Sequence, residues 1–162
     1  MWVMMYICYL LMGMTFLMVL LTGLQGFFQF HILGAAHPRF ALATILVYLF
    51  AETQIMFFFI GSAKKVKEYL KLTDGDRSLY APLIKIKMTV FPHITSNMIF
   101  TFTLFWTGGS VDRGSMPGWL HGILFLGVLG HLAWTTVLEH RAFKTNTEIV
   151  LKMYGVEREP QE

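Results

Sequence analysis

The chain alternates long apolar stretches with short polar ones. Apolar residues run almost unbroken from Val3 to Phe30, from Phe40 to Ala63, from Met88 to Thr107 and from Trp119 to Leu138, and no Lys or Arg interrupts any of them. A helix needs about 20 predominantly apolar residues to cross the hydrocarbon core of a bilayer, so each stretch is predicted to be a transmembrane span. The expected fold is an all-α integral membrane protein, with four transmembrane helices in an up-down-up-down bundle that forms one domain over 1–162.

The polar intervals sharpen this picture. Leu33-Gly34-Ala35-Ala36-His37-Pro38 predicts a tight turn with Pro38 near the start of the second helix, which makes the first two helices antiparallel neighbours. Residues 64–87 read as a long basic loop. Its first part continues helix two into water, and Thr73-Asp74-Gly75-Asp76 breaks that continuation. Residues 108–118 read as a short polar loop, with Gly108, Gly109 and Gly114 as turn glycines. Pro92 is expected in the first turns of the third helix, where proline is tolerated best. Beyond Leu138 the fourth helix is expected to leave the bilayer through Glu139-His140-Arg141, run to about Tyr154 and stop at Gly155, followed by a polar tail at 157–162.

Composition agrees with a membrane location. Hydrophobic residues make up 55% of the 162 residues and charged residues 14%, against roughly 25% charged in soluble domains. The net charge of +3 is modest, and its distribution says more. Lys64, Lys65, Lys67, Lys71, Arg77, Lys85 and Lys87 fall in the long interval, and Arg141, Lys144, Lys152 and Arg158 follow the fourth span. The opposite side has only Arg39 and Arg113. Positive residues favour the cytoplasmic side, so 64–87 and both termini are expected there, in a membrane of the bacterial inner-membrane type. No interleaving of aromatic and basic residues suggests nucleic-acid binding. The single cysteine, Cys8, excludes an intrachain disulfide, a Cys-based metal site and covalent haem attachment. The N-terminal apolar stretch lacks a positive leading segment and is longer than a signal-peptide core, so it reads as a retained helix.

Ionisable groups inside lipid are costly and are therefore candidates for function. Glu52 in helix two, His93 in helix three and His131 in helix four are such groups, with Tyr48, Gln54 and Asn97 as polar companions. At about 1.5 Å per residue from the cytoplasmic boundary, Glu52 is placed about 16 Å deep, Asn97 about 13 Å, His131 about 11 Å and His93 about 7 Å. His93 and Asn97 share a helix face, and Gly127 shares one with His131. His31, His37 and His121 lie toward the other surface.

Three functions suit this layout. In the first, His93 with His131 brackets a haem b, and His31 or His37 with His121 brackets a second, since histidine is a common axial ligand and facing helices build such sites. In the second, Glu52 with Tyr48 one turn before it serves proton or quinone chemistry. In the third, the polar groups join helices by hydrogen bonding. No Glu-x-x-His motif supports a metal cluster of Glu52, His93 and His131, and no phosphate loop or nucleophile elbow points to a soluble-substrate enzyme. Eleven Met and fifteen Phe suit a lipid- or partner-facing surface. The expectation is a small membrane subunit of a larger energy-transducing or electron-transfer complex. It is not an enzyme on its own, and its partners are lipid, other subunits and a quinone. The alternatives are a stand-alone proton- or quinone-linked protein centred on Glu52 and a purely structural subunit.

Overall fold

The computed structural model describes residues 2–155. Four long helices account for most of them: α1 (Trp2–Phe28), α2 (His37–Leu72), α3 (Ala81–Asp112) and α4 (Gly118–Met153), with a single 3-10 turn at Arg77–Tyr80. Side-chain contacts give the directions. Thr22 of α1 meets Thr44 of α2 at 2.8 Å, and Gln25 donates to the Ala35 carbonyl at 2.7 Å, so α1 and α2 are antiparallel. Thr107 of α3 meets His121 of α4 at 3.1 Å, while His93 meets His131 at 3.4 Å, so α3 and α4 are antiparallel as well. The rings of Phe27 and Phe125 pair α1 with α4 near one end, and those of Tyr9 and His140 pair them near the other.

Local chemistry sets the helix boundaries. Gln29 takes a left-handed φ of 55° after α1, and its N–H bonds the Gln25 carbonyl at 2.9 Å. Leu33 and Gly34 both have positive φ, and Ile32 and Ala35 exchange backbone hydrogen bonds across them. That is the geometry of a type I′ turn. Pro38 and Pro82 occupy the opening positions of α2 and α3, where a missing N–H costs nothing. Asp76 caps the 3-10 turn through Ser78 N–H at 2.8 Å and the Ser78 hydroxyl at 2.5 Å, and these bonds hold its carboxyl below the usual carboxylate range. Gly155, with φ of 72°, follows the end of α4.

Three expectations about the connections need correction. Within 64–87, α2 runs on to Leu72 and breaks at 73–76 as expected, but 77–87 is a 3-10 turn and the start of α3, not loop. Val66 and Leu70 of that continuation are buried, so it packs on its neighbours. Pro92 lies in the interior of α3, because the helix begins well before the apolar run does. The second loop is only 113–117, with Gly108 and Gly109 inside α3. The continuation of α4 past Leu138 runs to Met153, close to the expected end, and is packed within the bundle, with Glu139, Ala142, Phe143, Asn146, Ile149 and Val150 all buried. The polar tail at 157–162 lies outside the described residues.

The two ends of the bundle are built differently. At the packed end, beside the 73–76 connection, a continuous core joins Cys8 and Met12 of α1, Phe58, Phe59 and Val66 of α2, Leu83 and Val90 of α3, and Phe143 and Val150 of α4. Ring centroids of Phe59 and Phe143 are 4.9 Å apart, and those of Phe58 and Phe143 5.0 Å. At the open end, beside the 29–36 and 113–117 turns, the α1–α2 and α3–α4 hairpins part around a cleft of about 810 Å³.

α1, α2 and α4 are long and apolar enough to cross a membrane. α3 is 32 residues long but is not one of these three, since Pro92, His93, Asn97 and its threonines dilute its apolar character. Large apolar side chains are exposed on every helix, among them Leu10 and Phe28 of α1, Leu46 and Phe57 of α2, Ile99 and Trp106 of α3, and Ile123 and Leu126 of α4. Helical threonines return their hydroxyls to their own backbone, as Thr103 does to Ile99 at 2.9 Å and Thr53 to Leu49 at 2.7 Å. A hydroxyl satisfied in this way can face an apolar medium.

Candidate functional site

Between the packed core and the open cleft lies a layer of buried polar side chains on three helices. Its centre is a pair of carboxyls. Glu52 of α2 is 4% exposed and Glu139 of α4 is 2% exposed, and their carboxyl groups lie within reach of each other. Ionised carboxylates only accept, so a hydrogen bond between two carboxyls requires one of them to carry a proton. Glu52 Oε2 and Glu139 Oε1 are left without protein partners. Tyr48, fully buried one turn before Glu52, turns its hydroxyl toward Glu52 and toward Thr101 of α3, but it makes a well-formed hydrogen bond to neither.

The sequence reading found Glu52 and Tyr48 and missed Glu139, which was expected outside the bilayer. The signal was present. His131, Thr135 and Glu139 recur every fourth residue, the spacing that stacks side chains on one helix face, and Thr135 and Glu139 are both buried. A hydropathy window ends at Leu138 and divides that stripe. Asn146 continues the buried face and accepts a hydrogen bond from Ser62 of α2 at 2.8 Å, so a second polar tie joins α2 to α4 inside the packed end.

His131, Asn97 and His93 form an adjoining group. His131 Nδ1 meets Asn97 Oδ1. An amide oxygen only accepts, so His131 donates from Nδ1 and leaves Nε2 as an acceptor. His93 Nδ1 then donates to that Nε2 at 3.4 Å. The rings lie side by side with centroids 5.5 Å apart, and Phe100 packs edge-on against His131. The two histidines expected to bracket a haem are thus brought together as a hydrogen-bonded pair, with no gap for a macrocycle between the rings as they stand. The Nδ2 of Asn97 is buried without a partner. Gln54 is half-buried, on a different side of α2 from Glu52.

At the open end the expected pairing of His31 with His121 is not formed. His31 sits exposed in the 29–36 turn, whereas His37 and His121 both line the cleft. Thr44 and Thr101 line it too. Thr44 lies one turn before Tyr48 on α2, and Thr101 lies near that residue's hydroxyl. The cleft therefore borders the polar layer. On the opposite side, Ile55, Phe58, Phe59 and Phe143 separate the layer from the packed end with apolar side chains. Among the described residues, no three His, Cys, Asp or Glu side chains are grouped so as to hold a metal ion.

No protein-family model, no curated protein and no solved structure matches this chain.

Proposed function

We propose that the chain is a four-span integral membrane protein whose Glu52–Glu139 pair holds an exchangeable proton within the membrane, as part of an energy-transducing membrane complex. The observation that carries this reading is the carboxyl pair itself. Burying a carboxyl in apolar surroundings is expensive, and helix packing alone is served more cheaply by Ser, Thr or Asn. Two buried carboxyls within reach of each other make a site that can hold one proton or two. Tyr48 and Thr101 supply hydroxyls between this site and the open cleft. The unpartnered oxygens of Glu52, Glu139 and Tyr48 and the unpartnered nitrogen of Asn97 are the kind of buried groups that ordered water satisfies. Proton exchange then runs between the pair and the open end, because Phe58, Phe59 and Phe143 close the other side.

Exposed apolar residues on all four helices, and the internally satisfied threonines of α3, support four spans. The Lys/Arg bias supports a cytoplasmic packed end. α2 and α4, at 36 residues each, are about 54 Å long and exceed the roughly 30 Å hydrocarbon core. Their charged final turns reach beyond it on that side. A second reading, a purely structural accessory subunit, is favoured by one observation: the Ser62–Asn146 bond ties the same two helices as the carboxyl pair.

Infrared difference spectroscopy of the lipid-reconstituted protein separates the two readings. Stepping the pH should reveal a carboxylic C=O band that titrates and that disappears in Glu52→Gln or Glu139→Gln. Glutamine keeps the shape and can still donate a hydrogen bond, so both variants should assemble. A band that is absent, or that does not respond to pH, leaves the pair as a structural clasp.

A further inference from the structure

Two imidazoles on different helices line the open cleft, and each is anchored through one ring nitrogen. At the start of α2, His37 Nδ1 lies 3.1 Å from the Thr22 carbonyl of α1. A carbonyl only accepts, so Nδ1 carries the proton and Nε2 keeps a lone pair. At the first turns of α4, His121 Nδ1 lies 3.1 Å from Thr107 Oγ1. The Thr107 hydroxyl already donates to the Leu104 carbonyl at 2.8 Å. His121 therefore also donates from Nδ1 and keeps its lone pair on Nε2. A protein fixes a metal-ligating histidine in this way, with the far nitrogen hydrogen-bonded and the near one free.

The surroundings are specialised for these rings. A Cβ on Gly26 would stand 3.1 Å from His37 Cε1, and one on Gly108 would stand 3.4 Å from His121 Cε1. Glycine at these two positions lets each imidazole lie close against the neighbouring helix. The two histidines are near enough to interact electrostatically. The cleft of about 810 Å³ is within the usual size range of cofactor sites. Phe and Trp side chains supply much of its wall, and Asp112 and Arg113 are the charged side chains in its lining among the described residues.

We infer that this cleft binds one haem b, with Nε2 of His37 and Nε2 of His121 as the two axial ligands. A bare transition-metal ion takes three or four protein ligands, and the described residues offer no such group here. A haem brings four nitrogens of its own and needs only the two axial positions. Its apolar macrocycle suits the aromatic wall, and Arg113 can pair with a propionate by charge-assisted hydrogen bonds. The inference is independent of the carboxyl pair and does not require it to exchange protons.

The test uses the full chain purified from membranes and titrated with hemin. The expected result is one haem per chain, with the reduced-state visible bands of a six-coordinate b-type haem. The oxidised wild type should give the low-spin electron paramagnetic resonance signal of bis-imidazole ligation, a readout that depends on no variant. His37→Ala and His121→Ala should each abolish that signal, while His93→Ala and His140→Ala leave it intact. Failure to bind hemin would overturn the inference, as would a high-spin signal in the wild type. So would a low-spin signal that survives both cleft variants and is lost in His93→Ala, which would move the haem to the other histidine pair.

Discussion

The packed and open ends of the bundle use the same four helices to opposite effect. At the packed end, Phe58, Phe59 and Phe143 interlock with ring centroids 4.9 to 5.4 Å apart, and the core continues along α2 and α4 past the apolar runs. At the open end, glycines occupy comparable interior positions, and the hairpins part around two histidines. The contrast is one of side-chain volume. Bulky rings fill the space between helices to native density, whereas Gly26, Gly108, Gly109 and Gly122 contribute nothing to the gap they line. The carboxyl pair lies at the boundary, with the apolar seal on one side and the hydroxyl-bearing cleft on the other. Under the proposed function this asymmetry directs proton exchange toward the open end, since packing closes the other.

The assignment of the two ends to the two sides of the membrane gives the largest expected effect. In a Cys8→Ser background, Lys71→Cys should react with an impermeant thiol reagent only from the cytoplasm, and Asp112→Cys only from outside. Labelling both from one side would remove the four-span reading. Next in size is the packed core. Phe143 is fully buried among Tyr9, Phe58 and Phe59, so Phe143→Ala should cost about 3–5 kcal/mol in reversible unfolding from detergent micelles. Phe125, partly buried against Phe27 at the open end, should cost less when cut to alanine. Equal losses would erase the distinction between the ends. The smallest effect concerns the cleft wall. A Cβ on Gly109 would meet nothing within 4 Å, so Gly109→Ala should be neutral or raise stability by up to about 1 kcal/mol through helix propensity. A clear loss of stability would show that the open end is packed more tightly than described.

Much of the architecture was legible in the sequence because hydropathy and turn chemistry are local. The four apolar runs, the turn before Pro38, the break at Thr73 to Asp76 and the stop at Gly155 all follow from residues close together in the chain. The ends of α2 and α4 were legible in the same way, but the packing of their last turns was not. In the polar segments 64–72 and 139–153 the apolar side chains Val66, Leu70, Phe143 and Val150 find partners on other helices, and a window average does not register that. The same limit explains the site. Tyr48 and Glu52 stood out as polar groups inside an apolar run, but Glu139 followed such a run and looked like the start of a solvated extension. His31 was the expected partner of His121 and His37 its alternative, but the turn leaves His31 exposed and the Thr22 carbonyl holds His37 in the cleft. The sequence alone determined which residues would be costly to place in an apolar medium. Only the tertiary structure decided which of them share that cost, because the approach of Glu52 to Glu139 depends on the register of two helices that are far apart in the chain and set side by side by packing.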